Sequence, residues 1–207
     1  MRRPGYASHL VSSWIPALTG IEARLRAGGS VADVGCGRGS STILMAQAFP
    51  DAVFVGIDSH GPSIEHARQA ADKAGVADHV EFRGIDATKD WGEGYDLITF
   101  FDCLHDMGDP VGALRAAHHA LAPGGGSVML VEPPAADDVM GNINPVAKAF
   151  AAISTLCCVP NSLAAEGPAL GALVSEPTLR DTARRAGFRT FRRTADAPFN
   201  RVFEAKT

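Results

Sequence analysis

Short apolar runs alternate along this chain with longer segments in which apolar residues recur every three or four positions. The short runs are typical of strands, and the recurring positions are typical of helices with one buried face. Alternation of this kind predicts parallel strands joined by right-handed crossovers, and therefore an α/β fold with helices on both faces of a sheet. The predicted strands in the first two thirds of the chain are residues 30–34, 52–57, 79–83, 95–101 and 127–131.

Prolines and glycines mark where the helices between these strands begin and end. Pro62 is placed to start a helix that Gly75 ends, and Pro50 stops the helix before it. A helical stripe also runs through residues 10–25, where Pro16 predicts a break. The N-terminal 28 residues are therefore expected to be a helical segment that precedes the first strand.

The alternation stops after the fifth predicted strand. Residues 133–175, which we call the insertion, contain several prolines, an apolar run and glycine-rich loops, and they are longer than a typical connection. Their apolar residues recur at roughly helical spacing, so the insertion is a candidate helical lid over a substrate pocket. We expect one domain over residues 1–207, closed by a helix at 176–186 and two strands at 188–193 and 199–205.

Composition limits the classes of protein that this chain can belong to. It has 207 residues, of which 46% are hydrophobic and 20% charged, as in a globular domain. A formal net charge of -4 argues against a nucleic-acid partner. Because no run looks long enough to cross a bilayer and the N-terminus lacks a signal-peptide core, we expect no membrane partner and a cytoplasmic location. The four cysteines form no CxxC pair, and neither a metal site nor a disulfide is predicted.

A glycine loop lies between the first predicted strand and the helix after it. Gly35, Gly37 and Gly39 allow a tight turn and a close approach of ligand to backbone, although an ordinary strand–helix turn fits the same glycines. The third glycine is one place early for the dinucleotide fingerprint, and Asp33 precedes the loop. A carboxylate at Asp33 suits a cation better than a pyrophosphate, which disfavours a nicotinamide oxidoreductase.

Taken together, five motifs in order resemble the class I S-adenosylmethionine (SAM)-dependent methyltransferases. The resemblance covers essentially the whole chain. It implies a Rossmann-like seven-stranded sheet in the order 3-2-1-4-5-7-6, with strand 7 antiparallel and helices on both faces. It also implies that the chain is an enzyme that converts SAM to S-adenosylhomocysteine. The motifs are VADVGCGRG, GIDSH, GIDAT, YDLITFFDCLHDMGDP and ALAPGGG.

The resemblance also implies which residues contact the cofactor. The glycine-loop backbone would approach the methionine part, with Asp33 near its amino group. Asp58 would hold the ribose, and Asp86 would contact the adenine. Phe101 and Asp102 would line the methionine end of the cofactor. The alternative for Asp102 is that it only caps the fourth strand. The full set of implied cofactor residues is Asp33, Gly35, Cys36, Gly37, Gly39, Asp58, Ser59, Asp86, Ala87, Phe101 and Asp102.

His105 is the candidate general base. It follows the fourth predicted strand, at the edge of the sheet where ligands bind in open α/β folds, and imidazole titrates near neutral pH. The stretch from Leu104 to Asp109 is similar to that of small-molecule O-methyltransferases, and this implies that Glu132 and Glu176 flank the histidine. An alternative to each role stays open. His105 could shape the pocket without acting as a base, and Glu176 could be an ordinary residue at the start of a helix.

Two expectations concern the insertion and the N-terminus. Apolar residues of the insertion could wall a substrate pocket over His105, whereas Cys157 and Cys158 are expected to serve packing. A closer resemblance, to an actinobacterial methyltransferase group, rests on the segments FDCLHDMGDP, VEPP, NINP, STLCCVPNSL and PFNRVFEA. Members of that group usually carry an N-terminal winged-helix-like domain, which supplies dimer contacts in related enzymes. Here we expect that module to be absent or the chain to be a catalytic piece, with a homodimer left open. The wall residues are Met140, Phe150, Ile153, Leu156, Val159 and Leu163.

The favoured function is methyl transfer from SAM to a small molecule, at oxygen, by in-line displacement. Its main competitor is a SAM-binding module without catalysis that serves as a sensor or partner subunit. The two share every cofactor motif, so a turnover assay with labelled SAM is needed to separate them.

Overall fold

The computed structural model describes residues 3–207, so the first two residues of the predicted N-terminal segment lie outside the described part of the chain. A seven-stranded sheet with the order β3-β2-β1-β4-β5-β7-β6 forms its centre. Strands β1 to β5 are parallel, and β7 is antiparallel to both neighbours, so the predicted order and the reversed strand are confirmed. The strands are β1 Ser30–Val34, β2 Val53–Asp58, β3 Val80–Gly84, β4 Leu97–Phe101, β5 Ser127–Glu132, β6 Thr190–Ala197 and β7 Asn200–Lys206.

Eight α-helices are found in the described chain: six of them cover the two faces of this sheet, and the two within Pro145–Ala164 pack mainly on each other. Two hydrophobic clusters, one on each side of the sheet, form the core. Strands β4 and β5 are buried at every position, as expected for central parallel strands covered on both faces. The helices are α1 Arg3–His9, α2 Ile21–Arg26, α3 Ser40–Ala48, α4 Gly61–Ala74, α5 Pro110–Ala120, α6 Pro145–Leu156, α7 Cys158–Ala164 and α8 Glu176–Ala186.

The helix ends follow the predicted stop and start residues. Helix α5 begins at Pro110, and the Asp109 side chain accepts a 2.8 Å hydrogen bond from the backbone N–H of Gly112. Gly75 ends α4 and Gly187 ends α8, each with the positive φ that glycine tolerates best. Capping chemistry of this kind is local in sequence, which is why these boundaries were predictable.

The N-terminal segment covers the sheet and is broken where Pro16 predicted a break. Helix α1 runs into one π-helical turn at Leu10–Trp14, and α2 starts after a non-helical stretch. Leu10 and Trp14 are fully buried in one of the two core clusters. The segment is therefore an integral layer of this fold.

The buried carboxylate of Glu204 on β7 connects this segment to the sheet. It accepts hydrogen bonds from Ser127 Oγ at 2.8 Å and from the backbone N–H of Thr19 at 3.0 Å. Arg192 Nη2 lies 2.5 Å from its Oε2. Burial raises the pKa of Glu204, but the bonds from Ser127, Arg192 and Thr19 outweigh burial and lower that pKa from its ordinary 4.5.

This network predicts a pH-dependent contribution to stability. Since the pKa of Glu204 is lower in the folded chain, the stabilisation is fully present above pH 4.5 and is lost as the pH falls through the folded-state value. Glu204→Gln should lower the free energy of unfolding by about 1–3 kcal/mol at pH 7 and by less in acid. Urea unfolding at several pH values measures this, and exposed Glu93→Gln is the control. An equal loss at every pH would contradict the prediction.

The first closing strand differs from its prediction. Residues 188–193 were expected, but β6 spans Thr190–Ala197 and contains a register irregularity between Arg193 and Ala195. This strand lies at the edge of the sheet, and most of its residues from Arg192 onward are polar or half-exposed. The apolar alternation that marks a strand is weak there, and the irregularity shifts it by one place.

The insertion contains two helices, and their combined length corrects the prediction that no run of this chain is long enough to cross a bilayer. Residues Pro145–Ala164, which include α6 and α7, are long and apolar enough by length and composition to cross a membrane. The two helices are separated at Cys157, whose φ of -126° and ψ of -65° are not helical. Helix α7 packs on the turn at Leu104–Asp106, so length and composition alone do not decide its environment.

Candidate cofactor and substrate site

A cleft of about 870 Å³ opens where the parallel strands end. Its walls come from the loops after β1, β2, β3 and β4 and from α7, the edge at which open α/β sheets bind ligands. Four aspartates, and no Lys or Arg among the described lining residues, give the walls a negative potential that favours a cationic ligand. The polar and sulfur-bearing lining residues are Asp58, Ser59, His60, Asp86, Thr88, Cys103, Asp106, Met107, Asp109 and Asn161.

The glycine loop brings bare backbone to the cleft. Gly35 has a φ of 71°, and a Cβ there would lie 2.7 Å from Cys103 Sγ. The backbone N–H groups of Gly35 and Cys36 both donate to the Ile57 carbonyl, at 2.8 and 3.0 Å, which fixes the loop against β2. Only glycine therefore fits at position 35, and the main chain is the surface that a ligand meets there.

Two predicted carboxylates lie in the cleft at the ends of adjacent strands. Asp58 accepts hydrogen bonds from the backbone N–H groups of Gly37 at 2.9 Å and His60 at 2.8 Å. Asp86 accepts from Thr88 Oγ1 at 2.6 Å and from its backbone N–H at 2.8 Å, and these bonds lower the pKa of Asp86. Since their N–H donors hold both side chains in place, they offer fixed acceptors for hydroxyl or amino groups.

Asp33 corrects an expectation, because its carboxylate does not face the cleft. It is 1% exposed and accepts hydrogen bonds from Ser41 Oγ at 2.7 Å, Thr42 Oγ1 at 2.6 Å and Thr99 Oγ1 at 2.9 Å. Burial raises the pKa of Asp33 against the opposing effect of these bonds. Through these hydrogen bonds Asp33 links the first turn of α3 to β4, at the end of β1 where the glycine loop begins.

Phe101 and Asp102 also lie beside the cleft rather than in its lining. Asp102 has a φ of 52°, and its carboxylate accepts from Tyr6 Oη at 2.5 Å and from Asn200 Nδ2 at 3.1 Å. The Phe101 ring packs on the Tyr6 ring at a centroid distance of 5.1 Å. Both residues join α1 to the sheet. The predicted cofactor residues that line the cleft are Gly35, Asp58, Ser59, Asp86 and Ala87, whereas Cys36, Gly37 and Gly39 are not among its lining residues.

His105 and Glu132 form a buried pair at the ends of β4 and β5. His105 is 2% exposed, Glu132 is fully buried, and Nδ1 of the ring is hydrogen-bonded to Glu132 Oε2. Burial lowers the pKa of His105, but the Glu132 carboxylate and a bond with Cys158 outweigh burial and raise that pKa from 6.5 to about 11. The structure therefore brings together two of the three predicted catalytic residues, as a pair that stabilises the imidazolium.

A buried arginine lies on the strand next to that of Glu132. Arg201 on β7 is the register partner of Glu132 on β5, and it is 1% exposed. Its Nε and Nη2 donate to the carbonyls of Pro133 and Val174 at 2.9 and 2.8 Å. Glu132 Oε1 and Arg201 Nη1 are both buried without a hydrogen-bond partner among the described residues. The positive charge of Arg201 offsets the cost of burying Glu132.

Glu176 does not join the pair, contrary to the prediction. Its Oε1 accepts from Arg180 Nη2 at 2.7 Å, and its Oε2 lies 3.8 Å from Arg193 Nη1. Glu176 is the first residue of α8, and Ser175 caps that helix through a 3.3 Å bond from the Thr178 N–H. The alternative of a helix-start residue describes Glu176 here.

The insertion contacts the site through polar groups rather than the predicted apolar wall. Asn161 Nδ2 donates to the Asp106 carbonyl at 3.0 Å, and Ser162 Oγ donates to the Met107 carbonyl at 2.9 Å. Asn161 and Ala165 line the cleft. Several of the predicted wall residues are instead exposed and do not line the cleft: Met140, Ile153, Leu156 and Leu163.

Helix α7 also brings a thiol to the histidine. One donor atom each of His105, Asp106 and Cys158 lies within 4.8 Å of the others, and among the described residues this is the group that could hold a metal ion. The sequence predicted no metal site, because Cys158 is distant in the chain from the other two residues. Cys103, Asp106 and Asn161 were also missed, although Asp106 directly follows His105 in sequence and Cys103 lies two positions before it.

Comparisons with known proteins agree with the fold. Residues 32–127 match the family model described as "Methyltransferase domain". The chain is 37% identical over 117 residues to 27-O-demethylrifamycin SV methyltransferase of Amycolatopsis mediterranei, covering 54% of this chain and 43% of that protein. It is 34% identical over 116 residues to the ubiquinone biosynthesis O-methyltransferase of Pseudomonas paraeruginosa, covering 55% and 46%. The chain thus spans less than half the length of these two relatives.

Among solved structures, the one titled "PigF with SAH" superposes with a TM-score of 0.74 at 21% identity. The superposition covers 99% of this chain and 56% of that chain. At this identity the likeness shows a shared fold, and it extends over the insertion and the closing hairpin as well as the segment that matches the family model.

Proposed function

We propose that this chain, which carries a SAM-dependent methyltransferase domain, transfers the methyl group of SAM to an oxygen atom of a small molecule. The observation that carries this proposal is the buried His105–Glu132 pair, which lies at the carboxyl end of the sheet beside an acidic cleft. The names of both curated relatives, one of them an O-methyltransferase, describe methyl transfer, and this supports the proposed reaction.

The residues of the cleft fit SAM. The backbone at Gly35 would lie against its methionine part, and Asp58 and Asp86 would accept from its ribose and adenine. The excess of carboxylates favours a ligand with a positive sulfonium and ammonium over a dinucleotide with a negative pyrophosphate. When bound, SAM supplies a methyl group on a sulfonium that leaves readily.

His105 is the proposed general base. Because Glu132 accepts from Nδ1, the second ring nitrogen is the one that can take a proton from a substrate hydroxyl. The neutral ring is the active form, and because the pKa of His105 is raised to about 11, that form is scarce near pH 7 and the rate of methyl transfer should rise with pH. The fully buried Glu132 carboxylate stabilises the imidazolium that proton transfer creates. This arrangement makes the ring a strong proton acceptor, which methyl transfer to oxygen requires.

The proposed substrate is a neutral small molecule with a hydroxyl group. Asp58, Asp86, Asp106 and Asp109 would repel an anionic substrate, and no cationic side chain among the described lining residues would compensate. Asn161 from α7 closes one side of the cleft, which limits the size of what enters and keeps water away from the reaction. We propose that the insertion acts as this wall.

One observation favours a second candidate, a SAM-binding module without catalysis. His105 is 2% exposed and is not among the residues that line the cleft. In such a module the His105–Glu132 pair would only hold β4 and β5 together beneath the cofactor.

A turnover assay separates the two candidates. The full chain is incubated with methyl-labelled SAM and a panel of phenols, quinols and carboxylic acids. We expect a labelled product together with an equal amount of S-adenosylhomocysteine for at least one hydroxyl compound. Binding of S-adenosylhomocysteine without any product would favour the non-catalytic module.

A further inference from the structure

We propose that His105, Asp106 and Cys158 bind a thiophilic divalent cation of the zinc class. These residues offer an imidazole nitrogen, a carboxylate oxygen and a thiol sulfur within 4.8 Å of one another. This metal-binding site goes beyond the proposed methyl transfer, because its occupancy does not depend on whether the chain is an enzyme.

The donor types select the kind of cation. Nitrogen and thiolate ligands are those of zinc and its neighbours, whereas magnesium and calcium prefer sites built from oxygen alone. Two ligands come from the turn at Leu104–Asp106 and the third from the first residue of α7. The contact of α7 with this turn is held by the bonds from Asn161 and Ser162, so the ligands are positioned by the fold rather than by a flexible tail.

Glu132 supplies the support that metal-bound histidines usually have. A ligating histidine almost always gives its other ring N–H to a carboxylate or carbonyl, which fixes the ring and makes it a better ligand. Here Nδ1 is bonded to Glu132 Oε2, which leaves the other ring nitrogen for the cation. Glu132 Oε1 is buried without a hydrogen-bond partner among the described residues. The carboxylate that supports the His105 ring therefore has one acceptor atom left unused.

The charges and the access route also suit a cation. Arg201 already offsets the charge of Glu132, so the charge of a dication would be balanced by the Asp106 carboxylate and the Cys158 thiolate that bind it. Cys158 is 8% exposed and His105 is 2% exposed, whereas Asp106 lines the cleft. An ion can therefore reach the site from the cleft through Asp106.

The consequence for activity rests on the proposed function. A cation on the ring nitrogen of His105 that does not bond to Glu132 occupies the position that would accept the substrate proton. We therefore expect the metal-bound form to be inactive in O-methylation and removal of the ion by a chelator to restore the activity.

Cobalt binding tests the site without a substrate. Co²⁺ is titrated into the chelator-treated 207-residue chain, and we expect one ion per chain with a thiolate-to-cobalt charge-transfer band that Zn²⁺ abolishes. Cys158→Ser should remove the band and weaken binding by at least about tenfold. Cys157→Ser is the matched control, because Cys157 is the exposed neighbouring cysteine outside the cluster, and it should keep the band.

Two results would overturn the proposal: no saturable Co²⁺ binding by the wild-type chain, or a band that depends on Cys157 instead of Cys158. Circular dichroism checks that the variants fold. If Cys158→Ser does not fold, Asp106→Asn provides the test, and an unchanged cobalt affinity in that variant would refute the site. Because these readouts need no methyl transfer, failure of the metal site is distinguishable from failure of the proposed function.

Discussion

Replacing His105 with Gln is expected to lower the rate of methyl transfer by a factor of about 10²–10⁴, the usual contribution of a general base. The substitution keeps a side chain that can still bond to Glu132 but removes the nitrogen that would accept the substrate proton. Binding of S-adenosylhomocysteine should change little, because His105 does not line the cleft. Initial rates with a substrate from the panel, together with the Kd of S-adenosylhomocysteine, measure both effects.

A control separates this effect from a loss of structure. His66→Gln changes an exposed histidine on α4 and should leave the rate unchanged. Circular dichroism and urea unfolding check that the His105 variant is folded, since His105 is buried. A His105→Gln protein that folds, binds the cofactor product and turns over at the wild-type rate would rule out His105 as the base.

Replacing Asp58 with Ala should weaken binding of S-adenosylhomocysteine by about 10–100-fold. The carboxylate holds the backbone N–H groups of Gly37 and His60 and is a fixed acceptor in the cleft. Loss of a hydrogen bond to a charged group costs about 1.5–3 kcal/mol, and each 1.4 kcal/mol is a factor of ten in affinity. Titration calorimetry measures the Kd directly.

Asp51→Ala, at an exposed position just before β2, is the matched control and should bind normally. Asp58→Asn distinguishes charge from shape, since the amide retains one acceptor oxygen but not the negative charge. An unchanged Kd in Asp58→Ala would mean that the cofactor does not use this edge of β2.

The elements of the fold follow from local patterns. Strand β1 was predicted with the bounds that it has, because a short buried run is followed directly by glycines. Helix α8 was predicted as well, because Ser175 and Gly187 are its own capping residues. The strand order is a different kind of prediction: it came from the resemblance of five motifs to a family, since periodicity alone does not say which strands are neighbours.

The prediction of which carboxylates face the cleft agrees with the structure where the carboxylate lies at or just after a strand end, and it was wrong where several other partners compete for the carboxylate. Asp58 is the last residue of β2, Asp86 lies two residues after β3, and both line the cleft. Asp33 is bound instead by hydroxyls on α3 and β4, and Glu176 pairs with nearby arginines. A sequence motif states which group is present, but the competing donors around it are set by packing.

The insertion shows the same limit on a larger scale. Its helical spacing was predicted, yet the face directed at the cleft was not, because an apolar stripe does not say what covers it. The structure directs Asn161 to the cleft and Leu156 outward. Cys158 reaches His105 only because α7 folds back onto the turn after β4, a contact between residues that are far apart in the chain.

The central claim is that the acidic cleft at the carboxyl end of the sheet binds the methyl donor and its product. Calorimetric titration of the wild-type chain with S-adenosylhomocysteine, and in parallel with NADH, tests it most directly. We predict saturable binding of one S-adenosylhomocysteine per chain and no binding of NADH. Absence of S-adenosylhomocysteine binding by a folded chain, or tighter binding of NADH, would contradict the account.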